Sequence, residues 1–147
     1  MPRSPVSLGR RGATLTELVL VLTLVGLVTG FALPAARSAE DRLVAEGAAA
    51  VAVRALLDAR HHAVRRSERT ALLMDTVTAH LRIVAGAETV AVHELGPVFG
   101  VTLSTTRDSI AWNALGLGYG AANARLILRR GAAAETITVS RLGRVRR

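Results

Sequence analysis

The residue with the most evident chemical role in this chain is Glu17, which stands at the start of a long apolar run. Residues 18–36, between Glu17 and Arg37, carry no charge. A carboxylate at the edge of a bilayer costs free energy unless a cation pairs with it. Glu17 is therefore expected to need a positive partner. The alternative is that it rests among lipid headgroups at a helix start, where acidic side chains are favoured.

The other chemically capable residues form no catalytic or metal-binding pattern in the sequence. His61 and His62 are neighbours on a predicted helix and are expected to point in different directions, and no carboxylate–His spacing supports a metal site at them, at His80 or at His93. No Ser–His–Asp arrangement or glycine-rich phosphate loop is evident. The chain has no cysteine, which excludes disulfides and thiolate chemistry. We expect no enzymatic activity, no cofactor, no metal and no small-molecule substrate.

The C-terminal tail concentrates positive charge in a chain whose 19 basic residues are all arginine and whose net charge is +8. The tail arginines are Arg141, Arg144, Arg146 and Arg147. A guanidinium group suits phosphate because it donates two hydrogen bonds at once. If residues 125–130 and 135–141 pair as a hairpin, Arg129 and Arg130 are expected near the tail, at one end of the domain. The tail is thus a candidate for weak DNA contact; the alternative is a solvated edge, with no aromatic residue nearby to stack on bases.

A long N-terminal helix is expected to position these residues. Residues 18–36 would span roughly 28 Å at about 1.5 Å per residue, close to the hydrocarbon thickness of a bilayer. Three arginines precede this stretch, whereas Glu40, Asp41 and Glu46 follow it. That asymmetry predicts a single membrane-spanning helix with a cytoplasmic N-terminus and the rest of the chain outside.

The helix is predicted to continue to residue 66 as an alanine-rich amphipathic extension. Its apolar face carries Val44, Ala48, Val51, Ala52, Ala55, Ala59 and Ala63 at spacings of three and four. Its charged face carries Glu46, Arg54, Asp58, His61 and Arg65. Pro34 lies where the two parts join and is expected to kink the helix by removing a backbone donor.

After Ser67 the pattern changes to short β-like runs. Strands are expected at 70–74, 81–84, 89–93, 98–103, 110–112, 125–130 and 135–141. In the last of these, Ile137 and Val139 alternate with polar residues, which is typical of a half-buried strand. Gly131 predicts a hairpin between the final two strands, and residues 116–120 are expected to form a loop.

The segment from Arg10 to Leu18, RRGATLTEL, resembles the processing site of type IV prepilins and type II secretion pseudopilins. In that family a short basic leader ends in Gly, here Gly12, and a prepilin peptidase cuts after it. The new N-terminus, here Ala13, is then methylated. An acidic residue stands fifth after the cut, here Glu17, and a proline often stands twenty-second, here Pro34. The family usually has Phe where this chain has Ala13. The resemblance implies that the Ala13 amine of one subunit pairs with Glu17 of its neighbour in a filament.

The rest of the chain resembles one branch of that family, the H-type minor pseudopilins and the related FimT minor pilins. Residues 56–64 are similar to that branch's helix end, and residues 137–146 to its closing strand with a Gly-Arg-x-Arg ending. The resemblance implies an α+β fold, in which a long N-terminal helix packs on a small antiparallel β-domain. It divides the chain into a leader (1–12), a transmembrane helix (13–36), an amphipathic extension (37–67) and a periplasmic β-domain (68–147).

The function implied is that of a minor pseudopilin, a structural subunit of the type II secretion pseudopilus anchored in the inner membrane. The second reading is a minor pilin of a type IV pilus that contributes to pilus assembly and DNA uptake, as the ending similar to that of FimT pilins suggests. Other pilins or pseudopilins, the prepilin peptidase and the inner membrane are the partners implied.

Two further alternatives remain open on the sequence. One is an ordinary secretory signal peptide cut among the small residues at 36–39. The length of the apolar run, the acid at its start and the continuing helix argue against it. The other is an unrelated single-pass membrane protein with an external β-domain, which would not need the prepilin peptidase.

Overall fold

A computed structural model describes residues 14–119 and 123–147 of the chain. The described chain begins with one helix, α1 (Leu15–Arg66), and continues as strands with a single short helix among the described residues. The remaining elements are β1 (Thr70–Asp75), β2 (His80–Ala85), β3 (Glu88–Glu94), α2 (Leu95–Phe99), β4 (Thr102–Thr105), β5 (Ser109–Trp112), β6 (Gly118–Tyr119), β7 (Ala124–Arg130), β8 (Ala133–Val139) and β9 (Val145–Arg146). The predicted α+β class is confirmed.

The described chain divides into two units, of which the first ends at Ala36 and the second spans Arg37–Arg147. In the described part of the first unit, α1 is regular from Leu15 onward, and Pro34 lies inside it. The helix is assigned without interruption through Pro34, so the kink expected there stays a prediction.

The second unit is built on a helix face of small residues. Eight residues of α1 are buried, and seven of them are alanine: Ala45, Ala48, Ala49, Ala52, Ala55, Ala59 and Ala63, with Leu56 as the eighth. Most of the predicted apolar stripe is therefore confirmed, whereas Val44 and Val51 are only half-buried. Residues at spacings of three and four share one helix face, which explains why the same alanines recur in the core.

The strands form two antiparallel sheets that pack with this helix face in one core. The five-stranded sheet has the order β3-β2-β1-β5-β6, and the four-stranded sheet has the order β4-β7-β8-β9. The large buried side chains come mainly from the strands, among them Leu72, Ile83, Ile110, Trp112, Leu126 and Ile137. Alternation along β1, β2 and β7 sends every second residue inward.

Two strand predictions were wrong in part. Residues 98–103 were expected as one strand, but α2 occupies Leu95–Phe99 and β4 begins only at Thr102. The backbone N–H groups of Leu95 and Gly96 both donate to the carbonyl of Ala79, which anchors the short helix by a tertiary contact. Gly100 then ends the helix with a left-handed backbone, at φ 62°.

The expected loop at 116–120 contains a strand that the sequence did not suggest. Gly118–Tyr119 forms β6 and pairs with Ala111–Trp112 of β5, while Gly120 lies outside the described residues. The last predicted strand is displaced by two residues, since β8 spans Ala133–Val139 where residues 135–141 were expected. It ends at Val139 because residues 140–144 turn back, with the Ser140 N–H donating to the Arg144 carbonyl, and the chain returns as β9 beside β8.

The hairpin predicted at Gly131 is confirmed, and it is fastened to α1. The Arg130 Nε atom donates to the Asp41 carboxylate at 3.1 Å, and its Nη2 atom lies 3.4 Å from the Glu40 carboxylate. Its Nη1 atom donates to the carbonyl of Phe99. Gly131 follows with φ 53°, and a Cβ placed on it would lie 2.2 Å from Asp41 Oδ2. A side chain at position 131 would therefore disturb both the turn and this ion pair.

We predict that Gly131→Ala lowers the free energy of unfolding of residues 37–147 by about 2–3 kcal/mol, because it combines backbone strain with a clash against Asp41. Gly86→Ala is the matched control, since Gly86 also begins a two-residue hairpin turn at φ 59° but has no heavy atom within 4 Å of an added Cβ. Gly86→Ala should lower the free energy of unfolding by only about 1 kcal/mol, because it adds backbone strain without a clash. Urea denaturation of both variants measures the difference, and equal losses would contradict the Asp41 clash.

Candidate assembly segment and charged surfaces

Glu17 lies in the first turn of α1, and its side chain is exposed. The Glu17 backbone N–H donates to the Thr14 hydroxyl oxygen at 3.3 Å, so Thr14 acts as a side-chain cap at the helix start. An acid in this position is favoured by the unpaired N–H groups of the helix end. Gly12 and Ala13, the expected cleavage and methylation positions, lie outside the described residues.

The apolar run that follows Glu17 is exposed along its whole length. Its large side chains, from Leu18 to Leu33, all keep about half or more of their surface accessible. The two hydroxyls in the run satisfy themselves, because Thr23 donates to the carbonyl of Val19 at 2.8 Å and Thr29 to that of Val25 at 2.7 Å. The helix is long and apolar enough to cross a membrane, and its hydroxyls need no outside partner there.

Two small residues of the same run leave a shallow space on the helix surface. A Cβ added at Gly26 or at Gly30 would meet no atom within 4 Å. A Gly-x-x-x-Gly spacing allows a second helix to approach closely, although the pattern is also common by chance in apolar sequences rich in glycine. Its use in helix packing is therefore a prediction for the assembled state.

The C-terminal arginines are placed differently from the prediction. Arg130 pairs with Ala133 beside the β7–β8 turn, whereas Arg141 follows the far end of β8. Seven residues of strand separate the two ends, a distance of roughly 20 Å. The expectation that Arg129 and Arg130 lie at the same end as the tail is therefore wrong, and the antiparallel register is the reason.

A different arginine, Arg125, lies beside the tail instead. Thr138 of β8 pairs with Arg125 on one side and with Arg146 on the other, and all three side chains are exposed. Arg141 and Arg144 are exposed on the turn that leads into β9. Arg147 is engaged differently, because its Nε atom lies 3.0 Å from the Glu135 carboxylate. We call the exposed set of Arg125, Arg141, Arg144 and Arg146 the tail surface.

A groove between α1 and β3 is the main feature that the sequence did not reveal. It has a volume of about 760 Å³, and its charged or titratable lining is Asp58, Arg60, His61, His62, Arg65 and His93. We call it the basic groove. His61 and His62 both line it, although they were expected to point apart. The spacing of residues 58, 61, 62 and 65 does indicate that they share one face of the helix. The sequence did not indicate that β3 lies beside this face.

Among the described residues, no group of three or more His, Asp or Glu side chains is arranged to hold a metal ion. His62 is instead committed to its neighbours, with its Nδ1 atom 3.2 Å from the Thr70 hydroxyl and 3.9 Å from Glu68. The described residues thus offer an exposed apolar helix and two basic surfaces.

Comparison with solved structures finds this architecture in the type IV minor pilin FimU of Pseudomonas aeruginosa, strain PAO1. One crystal form of FimU matches with a TM-score of 0.57 at 17% identity, over 75% of this chain and 89% of FimU. A second crystal form matches with a TM-score of 0.54 at 18% identity, over 70% and 88% of the two chains. No protein-family model and no curated protein sequence matches the chain. The long N-terminal helix, whose second part packs on two antiparallel sheets, therefore belongs to a type IV pilin-like fold.

Proposed function

We propose that this chain is a membrane-anchored minor subunit of a type IV pilin-like filament, and specifically a minor pseudopilin of a type II secretion pseudopilus. The observation that carries the proposal is the division within α1. Its first part exposes a continuous apolar surface after a lone acid, while its second part packs on the β-domain. A subunit of this form is held in the membrane before assembly and by helix contacts afterwards. Its role is structural, without catalysis.

Glu17 is proposed to guide assembly by pairing with the amine of a neighbouring subunit. Its carboxylate is exposed at the head of a bilayer-length helix, where an unpaired charge is costly. Cleavage after Gly12 would free an amine on Ala13, four residues before Glu17 in the chain. Pairing between subunits satisfies both groups and fixes their relative height in a filament.

A minor pilin of a type IV pilus is the second candidate. The observation that favours it is the fold shared with FimU, which is a type IV minor pilin. Both candidates need the same anchor, leader and filament contacts, so they differ in the subunits that surround this chain.

We predict that maturation removes residues 1–12 and adds one methyl group to the amine of Ala13. Intact mass measurement of the protein extracted from its own membranes checks this prediction. The same protein expressed without a prepilin peptidase should keep the leader and gain no methyl group. An N-terminus at residues 36–39 would instead establish a secretory signal peptide.

We predict that Glu17→Ala inserts into the membrane normally but is recovered with other filament subunits at less than about one tenth of the wild-type yield, because an ion pair in a low-dielectric setting is lost. Cross-linking followed by mass spectrometry of the membrane fraction measures the yield. Glu88→Ala, which removes an exposed acid from β3, is the matched control and should be recovered as wild type.

Recovery of Glu17→Ala at the wild-type level would contradict the pairing. The identity of the cross-linked partners in the wild-type experiment separates the two candidates. Secretion pseudopilins among them support the pseudopilus, and pilins of a retractable surface fibre support the type IV pilus.

The tail surface is proposed to contact DNA if the second candidate holds. We predict that residues 37–147 bind duplex DNA weakly at low salt, without sequence preference, and that moderate salt removes the binding because it depends on counterion release. Replacing Arg141, Arg144 and Arg146 by Gln should weaken binding by about tenfold or more. Fluorescence anisotropy with a labelled duplex measures it.

The charge-matched control replaces Arg54, Arg69 and Arg82, three exposed arginines outside the tail surface, by Gln. Equal weakening by both triple variants would indicate nonspecific attraction to a basic protein. Absence of binding by the parent at low salt would leave the tail as a solvated edge.

A further inference from the structure

The lining of the basic groove carries more basic than acidic side chains. Five of its side chains are basic: Arg60, His61, His62, Arg65 and His93. Its one acidic side chain, Asp58, already has a partner, since Arg54 Nε lies 3.7 Å from its carboxylate. Arg65 and His61 are exposed, so they remain accessible to a ligand. The groove therefore favours an anionic occupant.

The wall opposite the helix is the edge strand β3. Among the described residues, β3 pairs with β2 alone and ends the five-stranded sheet. Its ladder is irregular at Val90, because Thr89 faces Val84 and Ala91 faces Ile83 with Val90 left between them. This bulge brings Val90 and Ala91 to the groove together, although neighbouring residues of a regular strand face opposite ways. An apolar strip thus runs beside the basic side chains.

An unmet hydrogen-bonding group lies in the same wall. The Nε2 atom of His93 is buried and has no hydrogen-bond partner among the described residues. Buried polar atoms are nearly always satisfied, so the His93 nitrogen is an unmet hydrogen-bonding group beside the groove, covered in this structure by neighbouring atoms. The backbone beyond Ala91 on the free edge of β3 offers further donors and acceptors to an extended chain.

We propose that the basic groove binds an acidic, extended segment of another protein chain. Carboxylates would meet Arg65, Arg60 and His61, while the apolar side chains of such a segment would pack on Val64 and Val90. Nucleic acid fits less well, because the lining contains no aromatic ring other than the imidazoles to stack on bases. A volume of about 760 Å³ lies within the usual range of ligand sites. This inference goes beyond the filament role and does not depend on it.

The test uses the full-length protein in detergent, titrated into a fluorescein-labelled hexaglutamate peptide at low salt. We expect saturable binding by anisotropy, with hexalysine as a peptide that should not bind. Arg65→Gln should raise Kd by about fivefold, the scale of a partly exposed charge pair. His61→Gln combined with Arg65→Gln should raise it further. Both positions are exposed, so the fold should tolerate these substitutions, and circular dichroism checks that it does.

Arg129→Gln is the matched control, because it removes an exposed arginine from the other sheet. It should change Kd by less than about twofold, since it lies outside the groove. Equal effects of Arg65→Gln and Arg129→Gln, or no peptide binding at low salt, would overturn the proposal. So would groove-dependent binding to phosphatidylglycerol nanodiscs without binding to the peptide, which would assign a lipid headgroup instead. The filament proposal stands or falls separately, on Glu17.

Discussion

The β-domain depends on one constraint, which is that α1 meets both sheets with a face made almost entirely of alanine. An alanine methyl group loses no rotamer freedom on burial. The volume of the core must then come from the strands, where Trp112 and the buried leucines and isoleucines lie. Each such side chain contributes about 1.5–3 kcal/mol when it is buried. The helix therefore supplies the shape of the core, and the strands supply most of its apolar surface.

Local patterning was enough to predict the elements that depend on it. The helix to residue 66, the alanine stripe and the hairpin at Gly131 follow from periodicity and from a turn residue, and all appear in the structure. Of the elements that the sequence missed, α2 is held by a distant contact, because the N–H groups of Leu95 and Gly96 donate to the carbonyl of Ala79. β6 and β9 pair with strands a few residues away, but each has only two residues, which is too short for an alternating pattern to show. Gly143, in the turn before β9, also lies against Trp112, where an added Cβ would meet the indole nitrogen at 2.8 Å.

The candidate sites divide along the same line. Gly12, Glu17 and the apolar run are neighbours in the chain, so their chemistry could be inferred from spacing, and their roles in processing and assembly remain proposals. Surfaces assembled from separate elements could not be inferred. The register of β7 and β8 places Arg130 far from the tail and Arg125 beside it. The basic groove forms because the fold brings His93 beside a helix segment about thirty residues earlier in the chain.

The hydroxyls of Thr23 and Thr29, each bonded to its own helix, bear on how the first part of α1 would sit in a membrane. They are the two polar side chains among residues 18–36, and each is bonded to its own helix. This stretch of α1 therefore has no side chain that requires a particular polar neighbour. In lipid, its free energy would change little if the helix rotated about its axis or moved laterally. The orientation of the segment would then be set by the charged residues at its two ends, Glu17 and Arg37.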